Sequence, residues 1–208
     1  MSQIALPLKT GPGNRAARIV IGAANAHIAE ALAAPESWPF RTAVLTGPAR
    51  AGKSLLARWF VEQGKGEALD QADRMDETEL FHRWNRAQES GTPLLLVASG
   101  EAWAGGGWDI ALPDLRSRIG AALPLAMAAP DDEMVTALIA AHAEQCGLAL
   151  GEGALTYLTP RVERSFAGIE RLVAAIDRIS LERKQPATQA IWRDALEAVQ
   201  GAAQPRLF

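Results

Sequence analysis

Gly47-Pro48-Ala49-Arg50-Ala51-Gly52-Lys53-Ser54 is a complete G-x-x-x-x-G-K-S run. Few stretches of this length constrain a fold so tightly, because the motif works only between a strand and a helix. Both are legible in the flanks. Ala43-Val44-Leu45 reads as a buried strand, and Leu55-Leu56-Ala57-Arg58-Trp59-Phe60 reads as a helix. Small residues let successive backbone N–H groups turn inward and cradle an anion, and the following helix N-terminus adds a favourable dipole. In such a loop Lys53 reaches the β- and γ-phosphates, and the Ser54 hydroxyl ligates Mg²⁺. All eight residues, Gly47, Pro48, Ala49, Arg50, Ala51, Gly52, Lys53 and Ser54, are therefore candidate nucleotide contacts. The bland alternative, a chance glycine-rich turn, does not account for the strand and helix around it.

The totals set the frame. The 208 residues suit one α/β domain with a smaller attachment, or two small domains. Apolar residues make up 49% of the chain, enough for a sizeable core, yet no run of about 18 apolar residues exists to span a membrane. The N-terminus lacks the charged and long apolar regions of a secretory signal. Cys146 is the single cysteine, so no internal disulfide can form, and it reads as a small buried hydrophobe. A cytoplasmic location fits. A net charge of −3 argues against a free-standing DNA-binding domain.

Along the chain, residues 1–15 read as a flexible extended tail, since Gly11, Pro12 and Gly13 block regular structure. Ile19-Val20-Ile21-Gly22 is a short apolar segment, followed by a helix over 25–34. After the loop, a helix runs to about Gln63, and Glu67-Ala68-Leu69-Asp70 is a short strand. A helix over 77–89 buries Leu80, Phe81, Trp84 and Ala87. Leu94-Leu95-Leu96-Val97-Ala98 is apolar throughout, as a strand covered on both faces should be. Gly105-Gly106-Gly107 is a flexible loop. A short helix over 114–119 and a last strand over 122–125 follow. From there the pattern is helical. Asp131-Asp132 caps a helix that runs to Cys146 and stops at Gly147. Further helices cover 152–159 and 165–183, and Pro186 opens a fourth that ends near Gln200. The domains expected are therefore a tail over 1–15, a nucleotide-binding α/β domain over 16–129 and a small all-helical domain over 130–208.

A nucleotide site of this kind needs an acid at the end of a neighbouring strand to hold Mg²⁺ through water. Asp70 is the candidate. The next position, where a second acid would activate water, is Gln71, which can orient water without accepting its proton, so weak intrinsic hydrolysis is expected. Asp73 is a nearby substitute, against its reading as an ordinary surface acid. In Leu112-Pro113-Asp114-Leu115-Arg116-Ser117-Arg118, two arginines at i, i+2 point to different sides of a short helix. One can pair internally with Asp114 or Asp109 while the other projects outward as an arginine finger, or both can make surface salt bridges. Arg164 is the arginine placed to fold over bound nucleotide, with Arg161 and Arg171 nearby and a solvated helix face as the alternative. His27, His82 and His142 show no metal-ligand spacing. Gln3-Ile4-Ala5-Leu6-Pro7-Leu8 combines a polar anchor with apolar side chains, as peptides that dock in a partner's groove do. Gln204-Pro205-Arg206-Leu207-Phe208 is similar in kind. Both segments can equally pack on their own domain.

Taken together, these residues resemble the DnaA branch of the AAA+ ATPases, and within it the Hda-type regulators of the replication initiator DnaA. Ile19 to Asn25 is similar to the adenine-contacting box, which implicates Ile21 and Asn25. Gly47 to Ser54 matches Walker A, and Ala68-Leu69-Asp70-Gln71 is a shortened Walker B. Trp84 to Gly91 and the strand after it resemble the segment leading to sensor 1, where Ser99 is the polar candidate. The L-P-D-L-x-S-R segment resembles the finger segment and places its terminal arginine on Arg118. Gln3, Ile4, Leu6, Pro7 and Leu8 match the hexapeptide by which such regulators bind the DNA polymerase sliding clamp, its beta subunit.

The resemblance implies a P-loop AAA+ parallel sheet followed by a helical lid, with ADP or ATP and Mg²⁺ as cofactors. DnaA and the clamp are the implied partners, without sequence-specific DNA binding, and a homo-oligomer is compatible. The implied role is negative regulation of replication initiation: Arg118 is presented to ATP held by DnaA and accelerates its hydrolysis. Three departures stand out. Only 15 residues separate Ser54 from Asp70, room for one strand fewer than the family usually has. Ala98-Ser99-Gly100 stands where Thr or Asn and Asp are common. One register puts the sensor 2 arginine on Arg164, and an ungapped one puts Ala167 there. A stand-alone P-loop kinase and a nucleotide-switched DNA loader are the alternatives from other classes.

Overall fold

The computed structural model describes residues 4–7, 18–100 and 108–203. They form two compact units, one from 25 to 128 and one that joins 129–208 to the first 24 residues.

In the α/β unit, α1 (Ala26–Ala33) leads through two short 3₁₀ turns to β3 (Thr42–Thr46). Then come α2 (Lys53–Glu62), β4 (Glu67–Leu69), α3 (Glu77–Ser90), β5 (Leu94–Val97), α4 (Pro113–Gly120) and β6 (Leu123–Ala126). The four strands form a parallel sheet in the order β4-β5-β3-β6. β3 and β5 are buried at every residue, which is why both read as unbroken apolar runs. Strand side chains alternate between faces. Val44, Leu94, Leu96 and Leu69 pack on one face with Leu80 and Trp84 of α3 and Leu115 and Ile119 of α4. One helix, α2, is all that joins β3 to β4, as the short spacing between Ser54 and Asp70 requires.

Successive strands place β4 and β5 on one side of β3 and β6 on the other. The strand order therefore reverses at β3. In open α/β sheets, ligands bind beyond the carboxyl ends of the strands at such a point. The glycine-rich loop leaves β3 from that end.

The second unit is built on α5 (Asp132–Cys146), α6 (Glu152–Leu158), α7 (Phe166–Arg183) and α8 (Gln189–Ala203). Asp131 caps α5 by accepting from Met134 N, and Gly147 ends it at φ +75. Ser165 caps α7 by accepting from Gly168 N. Ile139, Leu158, Ile169, Leu172 and Ile176 are fully buried at the centre of the unit. The last helix starts at Gln189, later than Pro186 implies, because Pro186 accepts from Thr188 N in a turn before it.

Three expectations change. Ile4–Pro7 is β1, paired antiparallel with β2 (Arg18–Ile21), so this part of the expected flexible tail is half of a two-stranded sheet. The pairing gives its backbone N–H and C=O groups partners that an isolated tail would lack. Residues 18–24, expected with the nucleotide domain, group with the helical unit. Cys146 is exposed rather than buried. Cys146 shares the helix face of Val135, Ile139 and Ala143, but it is the last residue of α5 before the Gly147 cap and is exposed there. Gln3, Leu8, Gly105-Gly106-Gly107 and 204–208 lie outside the described residues.

Candidate nucleotide site

The loop between β3 and α2 is held in a conformation that most residues resist. Gly47 has φ +148, Arg50 φ +63 and Gly52 φ +82. Arg50 is not glycine, and its left-handed backbone costs about 1–2 kcal/mol. A Cβ at Gly47 would come 2.7 Å from Met127 Cβ and 3.1 Å from Met127 O. A Cβ at Gly100 would come 2.7 Å from Gly47 O. So the chain after β6 and the chain after β5 both close on the start of the loop, and only glycine fits.

α2 begins at Lys53; Leu55 N and Leu56 N donate to Gly52 O, so the N–H groups of Lys53 and Ser54 are the ones without an acceptor within the helix. Lys53 is half-buried, and its Nζ donates to Gly47 O and Pro48 O at 2.8 Å each. Burial lowers its pKa from 10.5, and the Asp70 and Asp73 carboxylates partly offset that. A cation held at some desolvation cost at the start of a helix suits an anion. Ser54 follows it and is exposed.

The acids arrive by a sharp turn. β4 ends at Leu69, and Asp70 is exposed, its Oδ1 accepting from Gln71 N at 2.9 Å. Gln71 sits at φ +53, which turns the chain into a 3₁₀ turn over Ala72–Arg74. That turn returns Asp73 toward the sheet. Its Oδ2 accepts from Ser99 N at 3.1 Å, tying the end of β4 to the end of β5. The loop, Lys53, Asp70, Asp73 and Ser99 are thus brought together at the carboxyl ends of β3, β4 and β5. Both Asp70 and Asp73 act on Lys53, Asp70 more strongly than the substitute acid Asp73.

This constellation fits a magnesium nucleotide: a cradle that a Cβ would fill, a lysine at the helix start, a hydroxyl next to it and two carboxylates opposite. When bound, Mg²⁺ supplies Lewis-acid neutralisation of phosphate charge. The chain's own residues bind and orient. Backbone N–H groups and Lys53 would hold the phosphates, and Ser54 and Asp70 would hold the metal's shell, while Asp73 accepts from Ser99 N. Gln71 carries an amide where a proton acceptor would sit.

The remaining site residues are placed as follows. Asn25, in the α/β unit, is 2% exposed and precedes α1, its carbonyl accepting from Ile28 N and Ala29 N at 3.1 Å. The neighbouring His27 ring N–H donates to Ala126 O at 3.2 Å, at the end of β6. Ile21, in the helical unit, pairs with Ile4 and is half-buried. Arg164, also in the helical unit, pairs with Asp132 at 2.8 Å; both side chains are largely exposed, and such surface pairs contribute only about 0–1 kcal/mol.

Arg118 does not project outward. Its guanidinium lies 4.6 Å over the Phe81 ring and 4.4 Å over the Trp84 ring, and donates to Asn85 Oδ1. Arg116 bonds Ile110 O and lies 3.8 Å from Asp109. Arg116 thus makes the expected pairing with Asp109 and is largely exposed, whereas Arg118, expected to project outward, is tucked against α3. Sequence reading placed Phe81 and Trp84 on the buried side of α3, but the register of α4 against them was not legible. It also missed Met127 and Gly100 as walls of the loop, since neither lies in the motif.

No protein-family model and no curated protein matches this sequence. Solved structures match in fold. Domain III of the replication initiation protein DnaA from Thermotoga maritima aligns with TM-score 0.69 at 16% identity, over 87% of this chain and 94% of that one. DnaA bound to AMPPCP and single-stranded DNA gives 0.58 at 15% identity, over 80% and 66%. A katanin structure gives 0.62 at 19% identity, over 89% and 85%. The chain therefore has the P-loop fold of the AAA+ ATPases, DnaA-like in form, with an all-helical C-terminal part.

Proposed function

We propose that this protein is a negative regulator of replication initiation that binds ADP or ATP with Mg²⁺, docks on the DNA polymerase sliding clamp and accelerates ATP hydrolysis by DnaA. The observation that carries the reading is the combination in one site of a complete phosphate cradle with Gln71 at the position of the water-activating acid. Such a site holds nucleotide well and hydrolyses it poorly, as a nucleotide-stabilised regulator requires. The L-P-D-L-R-S-R segment supplies Arg118 as the group donated to the partner's triphosphate, where an arginine finger is worth about 10³–10⁵ in rate. Arg164 is assigned to fold over the bound nucleotide, since its pairing with Asp132 is cheap to exchange. The domains proposed remain a clamp-binding N-terminal segment, a nucleotide-binding unit and a helical lid, in the cytoplasm.

The test is a hydrolysis assay with DnaA–ATP, DNA-loaded clamp and the full chain. Arg118→Ala should abolish stimulation while leaving nucleotide binding intact. Full stimulation by that variant would refute the finger assignment. Gln3→Ala should lose the clamp in a pull-down, tested alone and with Gln204→Ala.

One observation favours a second reading, a nucleotide-switched DNA loader or assembly factor without a clamp partner. Ile4, Leu6 and Pro7 lie in a strand already paired with β2, so clamp docking must use the outer edge of β1 or replace that pairing. Removal of residues 1–9 separates the readings: it abolishes activity in the first and leaves it intact in the second.

A further inference from the structure

Arg118 is held differently from its neighbour Arg116. Phe81, Trp84 and Asn85 sit at i, i+3 and i+4 on α3, so their side chains share one face. The Arg118 guanidinium rests over both rings, and its edge meets the Asn85 amide oxygen. Arg116, two residues earlier, bonds only groups within its own approach to the helix, at Asp109 and Ile110. Arg118 instead reaches a different helix, more than 30 residues back in sequence. Among the described residues its charge meets two ring quadrupoles and an amide and no carboxylate.

That choice of partners has a consequence. A carboxylate would bind a guanidinium bidentately and hold it. Rings and an amide hold it at moderate strength, orient it and leave its charge uncompensated. A phosphate presented nearby outcompetes them, because the guanidinium fork matches phosphate geometry and gains full charge pairing.

We propose that Phe81, Trp84 and Asn85 form a storage socket that keeps Arg118 withdrawn in the free chain and yields it to a triphosphate presented by a docked partner subunit. The inference rests on the reading that Arg118 acts in trans. Asn85 and Phe81 are then positioning residues: they set the fraction of molecules with Arg118 available and touch no substrate. Removing the amide acceptor shifts that fraction toward release. A hydrogen bond to a charged group corresponds to about a tenfold change or more.

The experiment compares wild type, Asn85→Ala, Phe81→Leu and Arg118→Ala as full chains. The first readout needs no partner. In proton NMR of arginine-labelled protein, the Arg118 side-chain resonances should be shifted upfield by the two rings. The shift should shrink in Asn85→Ala and in Phe81→Leu and vanish on adding DnaA–ATP. The second readout is stimulated hydrolysis at sub-saturating chain. Asn85→Ala should raise it about tenfold, and Arg118→Ala in the Asn85→Ala background should remove the gain. If Arg118→Ala abolishes stimulation but neither socket variant raises it, the socket is wrong and the trans reading survives. If Arg118→Ala stimulates as well as wild type, the trans reading itself falls, and the storage role with it. Absence of any ring-current shift in the free wild-type chain would overturn the socket directly.

Discussion

Two glycines of the phosphate loop separate backbone strain from steric closure. At Gly52, φ is +82 and a Cβ would meet nothing within 4 Å. Gly52→Ala therefore carries only the left-handed penalty, about 1–2 kcal/mol. At Gly47, φ is +148, and a Cβ would sit 2.7 Å from Met127 Cβ, next to the backbone and unable to swing away. That variant adds an overpacking cost of about 1–3 kcal/mol to a backbone cost of about 1–3 kcal/mol. The sum is about 2–6 kcal/mol, above the Gly52→Ala cost. Urea unfolding followed by tryptophan fluorescence measures both. Five of the six tryptophans fall between residues 25 and 128, so the signal reports the α/β unit. The argument also predicts that Gly47→Ala spreads the loop away from Met127 and weakens nucleotide binding beyond Gly52→Ala. Equal destabilisation by the two variants, or a harmless Gly47→Ala, would refute the claim that the chain after β6 closes the loop.

Three further outcomes are expected. Lys53→Met should leave the apo protein within about 1 kcal/mol of wild type, since a lost hydrogen-bond pair is offset by relief of a desolvated cation. The same variant should bind neither ADP nor ATP, which titration calorimetry and a thermal melt would show together. Burial lowers the His142 pKa from 6.5, with the Glu170 carboxylate and the Gln145 hydrogen bond partly opposing. The unfolded chain then binds more protons than the folded one between that lowered pKa and 6.5, so stability is lost as pH falls through this window. His142→Gln should flatten that loss in chemical denaturation at stepped pH, and an unchanged slope would count against it. Asp73→Ala should speed amide exchange at Ser99, whose N–H it accepts, while Asp70→Ala should not.

The sheet and helices were legible because their signals are local. Buried strands β3 and β5 read as apolar runs, Asp131 and Gly147 bracket α5, and the loop motif fixes the order strand–loop–helix. The short spacing after Ser54 foretold the single connecting helix between β3 and β4. What was not legible depends on residues far apart in sequence. The partner of Ile4–Pro7 lies beyond a glycine- and proline-containing stretch that reads as a breaker. The position of Arg118 depends on how α4 packs against α3, which no local pattern encodes. Cys146 reads as buried from its residue type and its helix face, yet it is exposed because it is the last residue of α5. Asp73 was found as a candidate, but its tie to Ser99 follows from the left-handed turn at Gln71, a conformation its residue type does not announce.

Titration of the purified chain with Mg–ADP and Mg–ATP tests the central claim most directly. The account predicts saturable binding at one site per chain, lost in Lys53→Met. If neither ligand binds in the presence of magnesium, the cradle is not a nucleotide site and the regulatory reading built on it is wrong.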